Sequence, residues 1–146
     1  MKVVADTAPL VAAANARDRA HRVAAALVHR LGRDLLVPVP VLTEADYMIR
    51  TRVGADAARL FLAAVAAGTY SVAFLTQGLL RRVAEIDSAH ADLGLGIVDA
   101  SVMAVAERHE LPILTFDFAD FRAAPSPDGP WPLVVSESQL AGALES

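Results

Sequence analysis

Lys2-Val3-Val4-Ala5-Asp6-Thr7-Ala8-Pro9-Leu10-Val11-Ala12-Ala13-Ala14 opens the chain with an apolar run, an acid and a second apolar run. The two runs differ in kind. Residues 2–5 form a short, valine-containing run of the kind that fits a buried strand. Residues 6–14 are rich in alanine and carry Pro9 early, where a helix tolerates proline because the missing amide proton has no acceptor in the first turn. The stretch therefore predicts a strand, an acid at its carboxyl end, and a helix.

The same alternation continues downstream. From Asp18 to Leu31, Ala20, Val23, Ala24, Leu27, Val28 and Leu31 recur at the spacing of one helix face, and Gly32 ends the run. Leu35 to Val41 is a second strand candidate, confined by Pro38 and Pro40 to its first residues or to an edge. A helix follows, opening near Thr43 as N-cap with Glu44 in its first turn. Ala55 to Ala67 is apolar on more than one side, which places it in a core or at an interface. Tyr70 to Leu75 reads as a strand, and Thr76 caps a helix whose apolar face is Leu79, Leu80, Val83 and Ile86. Beyond the Gly94 and Gly96 loop, Val98 to His109 is a buried central helix, Leu111 to Thr115 a strand, and Leu133 to Val135 a last strand. Strands alternating with helices in this way predict an α/β fold with a largely parallel sheet, whose ligands bind outside the carboxyl ends of the strands.

Composition narrows the function classes. The 146 residues suit one domain with a sizeable core. Cysteine is absent, which removes disulfides and thiolate metal sites and leaves oxygen or imidazole as metal donors. The start lacks the pattern of a signal peptide, and the apolar run Leu60 to Ala67 falls short of the roughly 18 residues that cross a bilayer. A cytoplasmic protein without membrane contact is expected. The formal charge of −4 offers no electrostatic case for nucleic acid. Yet all but one of the 13 basic residues are arginine, which presents a fork to phosphate. The hydrophobic share of 55% suggests that a partner covers some apolar surface. The proline-rich stretch 123–132 holds the single tryptophan, Trp131, which is expected to pack on the core or its edge.

Four acids stand at or beside strand ends: Asp6 ends the first strand, Glu44 lies past the second, Asp117 follows the Ile113 to Thr115 strand, and Asp99 opens the helix that leads into that strand. Each alone has an ordinary use, as an N-cap, a helix-dipole partner or a turn former. Together they would repel and take up protons unless a hard divalent cation sat among them. Mg²⁺ and Mn²⁺ prefer such oxygen donors and borrow further ligands from a phosphate, which points to cleavage of a phosphodiester. Asp120 could join the acidic pocket or face solvent, and solvent is the favoured expectation.

Two segments also carry a resemblance. Val3-Val4-Ala5-Asp6-Thr7-Ala8-Pro9-Leu10-Val11-Ala12 resembles the opening of PIN-domain toxins. Gly94-Leu95-Gly96-Ile97-Val98-Asp99-Ala100-Ser101, then Ala104, Ala106-Glu107-Arg108 and Leu111-Pro112-Ile113-Leu114-Thr115-Phe116-Asp117, looks like that family's helix and "LTxD" turn, with Phe121 as the following aromatic. Leu42-Thr43-Glu44 supplies the internal acid. The resemblance implies a three-layer α/β/α sandwich with a mainly parallel central sheet, residues 1–146 forming one PIN domain. It implies that Asp6, Glu44, Asp99 and Asp117 are the metal-binding and catalytic quartet, with Thr7 and Thr115 as nearby hydroxyls. By the same resemblance the chain is a Mg²⁺- or Mn²⁺-dependent endoribonuclease, the toxin of a VapC-type toxin–antitoxin pair. Its expected partners are structured RNA such as tRNA or rRNA, a cognate antitoxin protein and a second copy of itself. Phe118-Ala119-Asp120 departs from the family, which often carries basic residues or His there.

Rival chemistries lack residues or position. His21, His29, His90 and His109 could in principle serve acid–base cleavage, but two fall on an amphipathic helix and His109 at a helix end. A receiver domain needs a lysine after a late strand, and the only lysine is Lys2. A haloacid-dehalogenase-type phosphatase needs a second Asp where Ala8 stands. A PIN fold used only as a binding scaffold is the remaining alternative.

Overall fold

A computed structural model describes residues 1–145. Strands β1 (Val3–Ala5), β2 (Leu35–Pro38), β3 (Ser71–Ala73) and β4 (Ile113–Leu114) form one sheet in the order β3-β2-β1-β4. Every pairing is parallel. Between them run α1 (Thr7–Ala14), α2 (His21–Leu31), α3 (Val39–Arg52), α4 (Ala55–Ala66), α5 (Gln77–Ala89) and α6 (Gly96–His109), with α7 (Phe118–Ala123) and α8 (Glu137–Leu144) after β4.

Strand order decides where helices go. The chain steps from β1 to β2 to β3 in one direction, then jumps back past β1 to β4. Right-handed crossovers put α1 to α4 on one face for the outward steps and α5 and α6 on the other for the return, which makes three layers. Register agrees: Val4 lies beside both Leu36 and Ile113, and Leu36 borders a cavity with Leu79 of α5 and Val105 of α6. The reversal of direction falls between β1 and β4, and there a crevice opens at the carboxyl ends of the strands. With both faces covered, the strands are apolar without alternation; Val3, Val4, Ala5, Leu35, Val37, Ile113 and Leu114 are all buried.

Several boundaries differ from the sequence reading, each for a local reason. α2 begins at His21 because the Asp18 carboxylate accepts from the Ala20 amide (2.8 Å) in the turn before it. α3 begins at Val39, ahead of Thr43, with Pro38 as N-cap and Pro40 in the first turn. Thr43 is an interior residue whose hydroxyl donates to the Val39 carbonyl (3.1 Å). α6 starts at Gly96, whose amide donates to the Asp87 carboxylate (3.0 Å). Leu133 to Val135 is not a strand: Leu133 makes one parallel bridge to Ile113, and Pro130 and Pro132 supply no amide to extend it.

Other expectations agree. Thr76 caps α5 by accepting from the Leu79 amide (3.2 Å), and Gly32 closes α2 at a φ of 50°. Trp131 packs on the core with its indole donating to the Ala124 carbonyl (2.7 Å). α4 buries Ala58 and Phe61 yet leaves Leu60 and Leu62 exposed, so its second apolar side has no cover within the described residues. Among those residues no helix is long and apolar enough to cross a membrane.

Candidate metal centre

Asp6 leaves β1 with its amide donating to the Leu114 carbonyl (2.9 Å), the last ladder bond between β1 and β4. The side chain is nearly sealed, 4% exposed. Its Oδ2 accepts from the Thr115 hydroxyl at 2.7 Å, and the same hydroxyl oxygen accepts from the Asp117 amide at 2.9 Å. A hydroxyl that donates once and accepts once thus ties the ends of the two strands across the crevice. Valine, of the same shape, could do neither.

Asp99 enters from α6, in the first turn, where the positive end of the helix dipole favours an acid. Asp117 is the N-cap position of α7, and Asp120 lies in that helix's first turn. Carboxylate oxygens of Asp99, Asp117 and Asp120 lie within 4.8 Å of one another. Asp120 is therefore half-buried against the other two rather than facing solvent. The sequence signal for it was the i,i+3 spacing from Asp117, which brings the two together once a helix starts at Phe118.

Electrostatics bind the rest of the set to this trio. Burial is the main force that raises the Asp6 pKa; the Thr115 hydroxyl and the Thr7 amide oppose it, and the charges of Asp117 and Glu44 add to it. Burial also leads for Asp99, followed by the Asp6 charge and by Asp120 and Asp117, and together they push it up to about 8. Asp117 is raised by burial and then by Asp120. The structure thus brings Asp99, Asp117 and Asp120 into direct proximity, with Asp6 and half-buried Glu44 acting on the same crevice from its walls. Among the described residues no acid of the five takes part in an ion pair.

Such a set fits a divalent cation. The donors are all carboxylate oxygens, as a hard ion prefers, and the repulsion among them has no internal counter-charge. The hydroxyl of Thr7, the residue after Asp6, is buried with no hydrogen-bond partner. Of the histidines, His21 is turned away, its Nδ1 lying 2.9 Å from the Ala12 carbonyl oxygen.

The PIN domain pattern matches residues 3–126. The chain belongs to the PIN-domain family. This PIN domain is VapC-type: it is 30% identical over 122 residues to Ribonuclease VapC26 of Mycobacterium tuberculosis, a match covering 83% of the chain and 90% of that protein. Its fold is similar to that of VapC20 of Mycobacterium tuberculosis, described as a sarcin–ricin loop cleaving toxin, with a TM-score of 0.72 and 24% identity over 82% of this chain and 94% of that one. A toxin–antitoxin complex from Klebsiella pneumoniae gives 0.66 at 18% identity, covering 85% of this chain and 93% of its own. VapBC2 from Rickettsia felis, bound to a DNA fragment of its promoter, gives 0.62 at 16% identity, covering 86% and 94%. The all-parallel sheet with helices on both faces is the PIN-like architecture these structures share.

Proposed function

We propose that this PIN domain is a divalent-metal-dependent endoribonuclease, the toxin of a toxin–antitoxin pair, with Asp6, Glu44, Asp99 and Asp117 as metal ligands and catalytic acids. Asp120 joins them as a fifth oxygen donor. The observation that carries the reading is the crowding of carboxylates at the switch between β1 and β4, with pKa values raised by burial and by one another and without a cationic side chain among them. A fold gains no stability from such an arrangement, so its use lies in what binds there.

Mg²⁺ or Mn²⁺ bound at this site would supply Lewis acidity toward the phosphate and a lower pKa for an attacking water. The protein's own part is positional. Thr115 fixes the Asp6 carboxylate and, through the Asp117 amide, the start of α7. Thr7, whose amide bonds the Asp6 carboxylate, carries a buried hydroxyl without a partner. In-line hydrolysis at the scissile phosphorus leaves a 5′-phosphate and a 3′-hydroxyl. Residues 1–146 act as one domain in the cytoplasm on structured RNA, tRNA or rRNA. A cognate antitoxin neutralises the chain, and a second copy covers part of its exposed apolar surface. The names of its relatives, a ribonuclease and toxins held with antitoxins, support these assignments.

Total cellular RNA incubated with the purified protein tests the reading, with Mg²⁺ or Mn²⁺, with EDTA, and with Asp6→Asn and Asp99→Asn. Discrete fragments bearing 5′-phosphates, dependent on metal and on both acids, are expected. Cyclic phosphate ends or indifference to EDTA would overturn it. Absence of both cleavage and calorimetric metal binding in the wild type would leave a PIN-fold scaffold.

A further inference from the structure

We infer that the arginines of α2 and of the turns flanking it, Arg17, Arg19, Arg22, Arg30 and Arg33, form a stripe that holds the phosphate backbone of the RNA where it leaves the acid crevice, an inference that rests on the ribonuclease reading above. These are five of the 13 basic residues, and the only acid between positions 17 and 33 is Asp18. All five are exposed, and among the described residues none makes an ion pair. Arg50, Arg59, Arg82 and Arg122, by contrast, each bond an acid. The acids around the stripe are engaged otherwise. The Asp18 carboxylate accepts from the Ala20 amide, Asp34 pairs with the N-terminal ammonium at 3.7 Å, and Glu137 of α8, a helix that touches α2, pairs with Arg122. A chain of net charge −4 thus keeps one basic face that nothing among its described residues neutralises.

Packing ties that face to the crevice. Ala20 and Ala24, at the amino end of α2, form a cluster with Ala12, and Phe116 packs against it. Phe116 stands between Thr115, which bonds Asp6, and Asp117. Arg19 and Arg22 flank Ala20 in the chain, so the stripe begins on the side of the molecule that carries the β4 end of the acid set. Along α2, Ala24, Leu27 and Val28 turn inward, whereas Arg22, His29 and Arg30 are exposed at the spacing of one outward face. That face is about 16 Å long. It ends at Arg33, next to the start of β2 and hence at the amino end of the sheet.

Length and charge select the ligand. One phosphate or one acidic side chain would meet only part of such a stripe, whereas a nucleic-acid backbone presents a row of phosphates to it. The arginine fork suits each of them. Acids at the crevice repel an RNA strand everywhere except at a bound cation, so the attraction that retains the strand has to come from beside the crevice.

The test uses a mixed-sequence single-stranded RNA of about 12 nucleotides. Its binding in EDTA is followed by fluorescence anisotropy as salt rises, and its cleavage with Mn²⁺ is timed. The proteins are wild type, the double variant Arg22→Gln with Arg30→Gln, the double variant Arg22→Lys with Arg30→Lys, and a charge-matched control, Arg81→Gln with Arg108→Gln, made of exposed arginines outside the stripe. The glutamine pair in the stripe is expected to lower the slope of log affinity against log salt by about 1.4, or about 0.7 for each lost contact to a single strand. Its dissociation constant then rises about twenty-fold near 50 mM salt and only about three-fold near 200 mM. KM rises with it, while kcat stays within about two-fold and calorimetric Mn²⁺ affinity is unchanged. The lysine pair keeps most of the slope, because a point charge still neutralises a phosphate, and it decides the matter if the glutamine pair fails to fold. Equal losses in the control pair overturn the inference, since net charge alone then governs binding. So does a glutamate homopolymer whose binding depends on Arg22 and Arg30 when that of RNA does not, which assigns the stripe to an acidic protein segment. Cleavage by wild type with an unchanged salt slope in the stripe variants sinks the inference alone. RNA binding that depends on the stripe without any cleavage upholds it and sinks the ribonuclease reading; a wild type that neither binds nor cleaves RNA sinks both.

Discussion

The two ends of α6 treat a carboxylate in opposite ways. At the carboxyl end, Glu107 is held by Arg82 of α5 through two bonds, Nε to Oε1 at 2.8 Å and Nη2 to Oε2 at 2.9 Å. The pair is about one-third exposed, and it places a cation near the negative end of the helix dipole, where Glu107 alone would be unfavourable. Arg82 also reaches Glu85, and its pKa is raised, first by the Glu107 bond. At the amino end, Asp99 has the favourable dipole position but is crowded by Asp6, Asp117 and Asp120 and has no cation. One acid is satisfied by the fold, and the other is left to be satisfied from outside. Crowding of carboxylates in a crevice without a cation is the feature that separates the proposed metal site from the structural clasp on the same helix.

The largest test of that contrast is Asp99→Asn, which keeps shape and removes one charge. RNA cleavage is expected to fall by at least about a hundred-fold, the upper range reached even by the outer partners of a metal site. Calorimetric affinity for Mn²⁺ falls with it. The metal-free protein should melt higher at pH 8 than wild type, because repulsion is relieved. A variant that melts lower and still cleaves would make Asp99 a structural acid like Glu107. Asp120→Asn is expected to act in the same sense and more weakly, with cleavage down by about ten-fold, since it removes one donor of the set and lowers the pKa of Asp99 and Asp117. Unchanged cleavage in that variant would return Asp120 to the role of an acid that merely begins α7.

Residue types carried the recognition of this site, and local chain geometry carried what was missed. Strand, acid and helix could be read at Val3 to Ala14 because a strand covered on both faces is apolar throughout and the acid interrupts it. Asp117 could be read the same way, and Asp99 from its place at the opening of the apolar helix that leads into that strand. Asp120 could not, because its place depends on a six-residue helix with little periodicity of its own. The start of α3 was missed since Pro38 and Pro40 favour both an edge strand and a helix N-terminus, and Thr43 mimics a cap from inside the helix. Leu133 to Val135 has a strand's composition, but flanking prolines leave it with a single bridge. The hydrogen bond from Thr115 to Asp6 joins residues 109 positions apart, which no local pattern encodes.

The clasp gives the next prediction. Arg82→Ala should cost about 1 kcal/mol of stability once solvent screening of a partly exposed pair is allowed for. In a chain of this size that lowers Tm by roughly 2–4 °C. Cleavage at a temperature where the variant is folded should be unchanged. Replacing both partners, Arg82→Met with Glu107→Leu, should recover most of the loss, since no charge is then left unpaired. A cleavage defect in either variant would mean that α5 and α6 transmit strain to Asp99 and that the two ends of the helix are not independent.

The subtlest expected effect is the slope of stability with pH in the metal-free protein. Folded Asp99 holds its proton up to about pH 8, whereas its ordinary value is 3.8. Between these values the folded state binds more protons than the unfolded one, so stability falls as pH rises. The contribution is fully present below pH 3.8 and lost as pH passes about 8. The difference in Tm between wild type and Asp99→Asn isolates it from other groups, and that difference should widen in favour of the variant from pH 5 to pH 8.5. Adding Mn²⁺ should reverse the sign at high pH, because a cation favours the ionised carboxylates that protons otherwise neutralise. Glu107→Gln provides the control: its Tm difference from wild type should stay almost level over the same range and be indifferent to the metal. Parallel curves for Asp99→Asn and Glu107→Gln would erase the distinction between the two ends of α6.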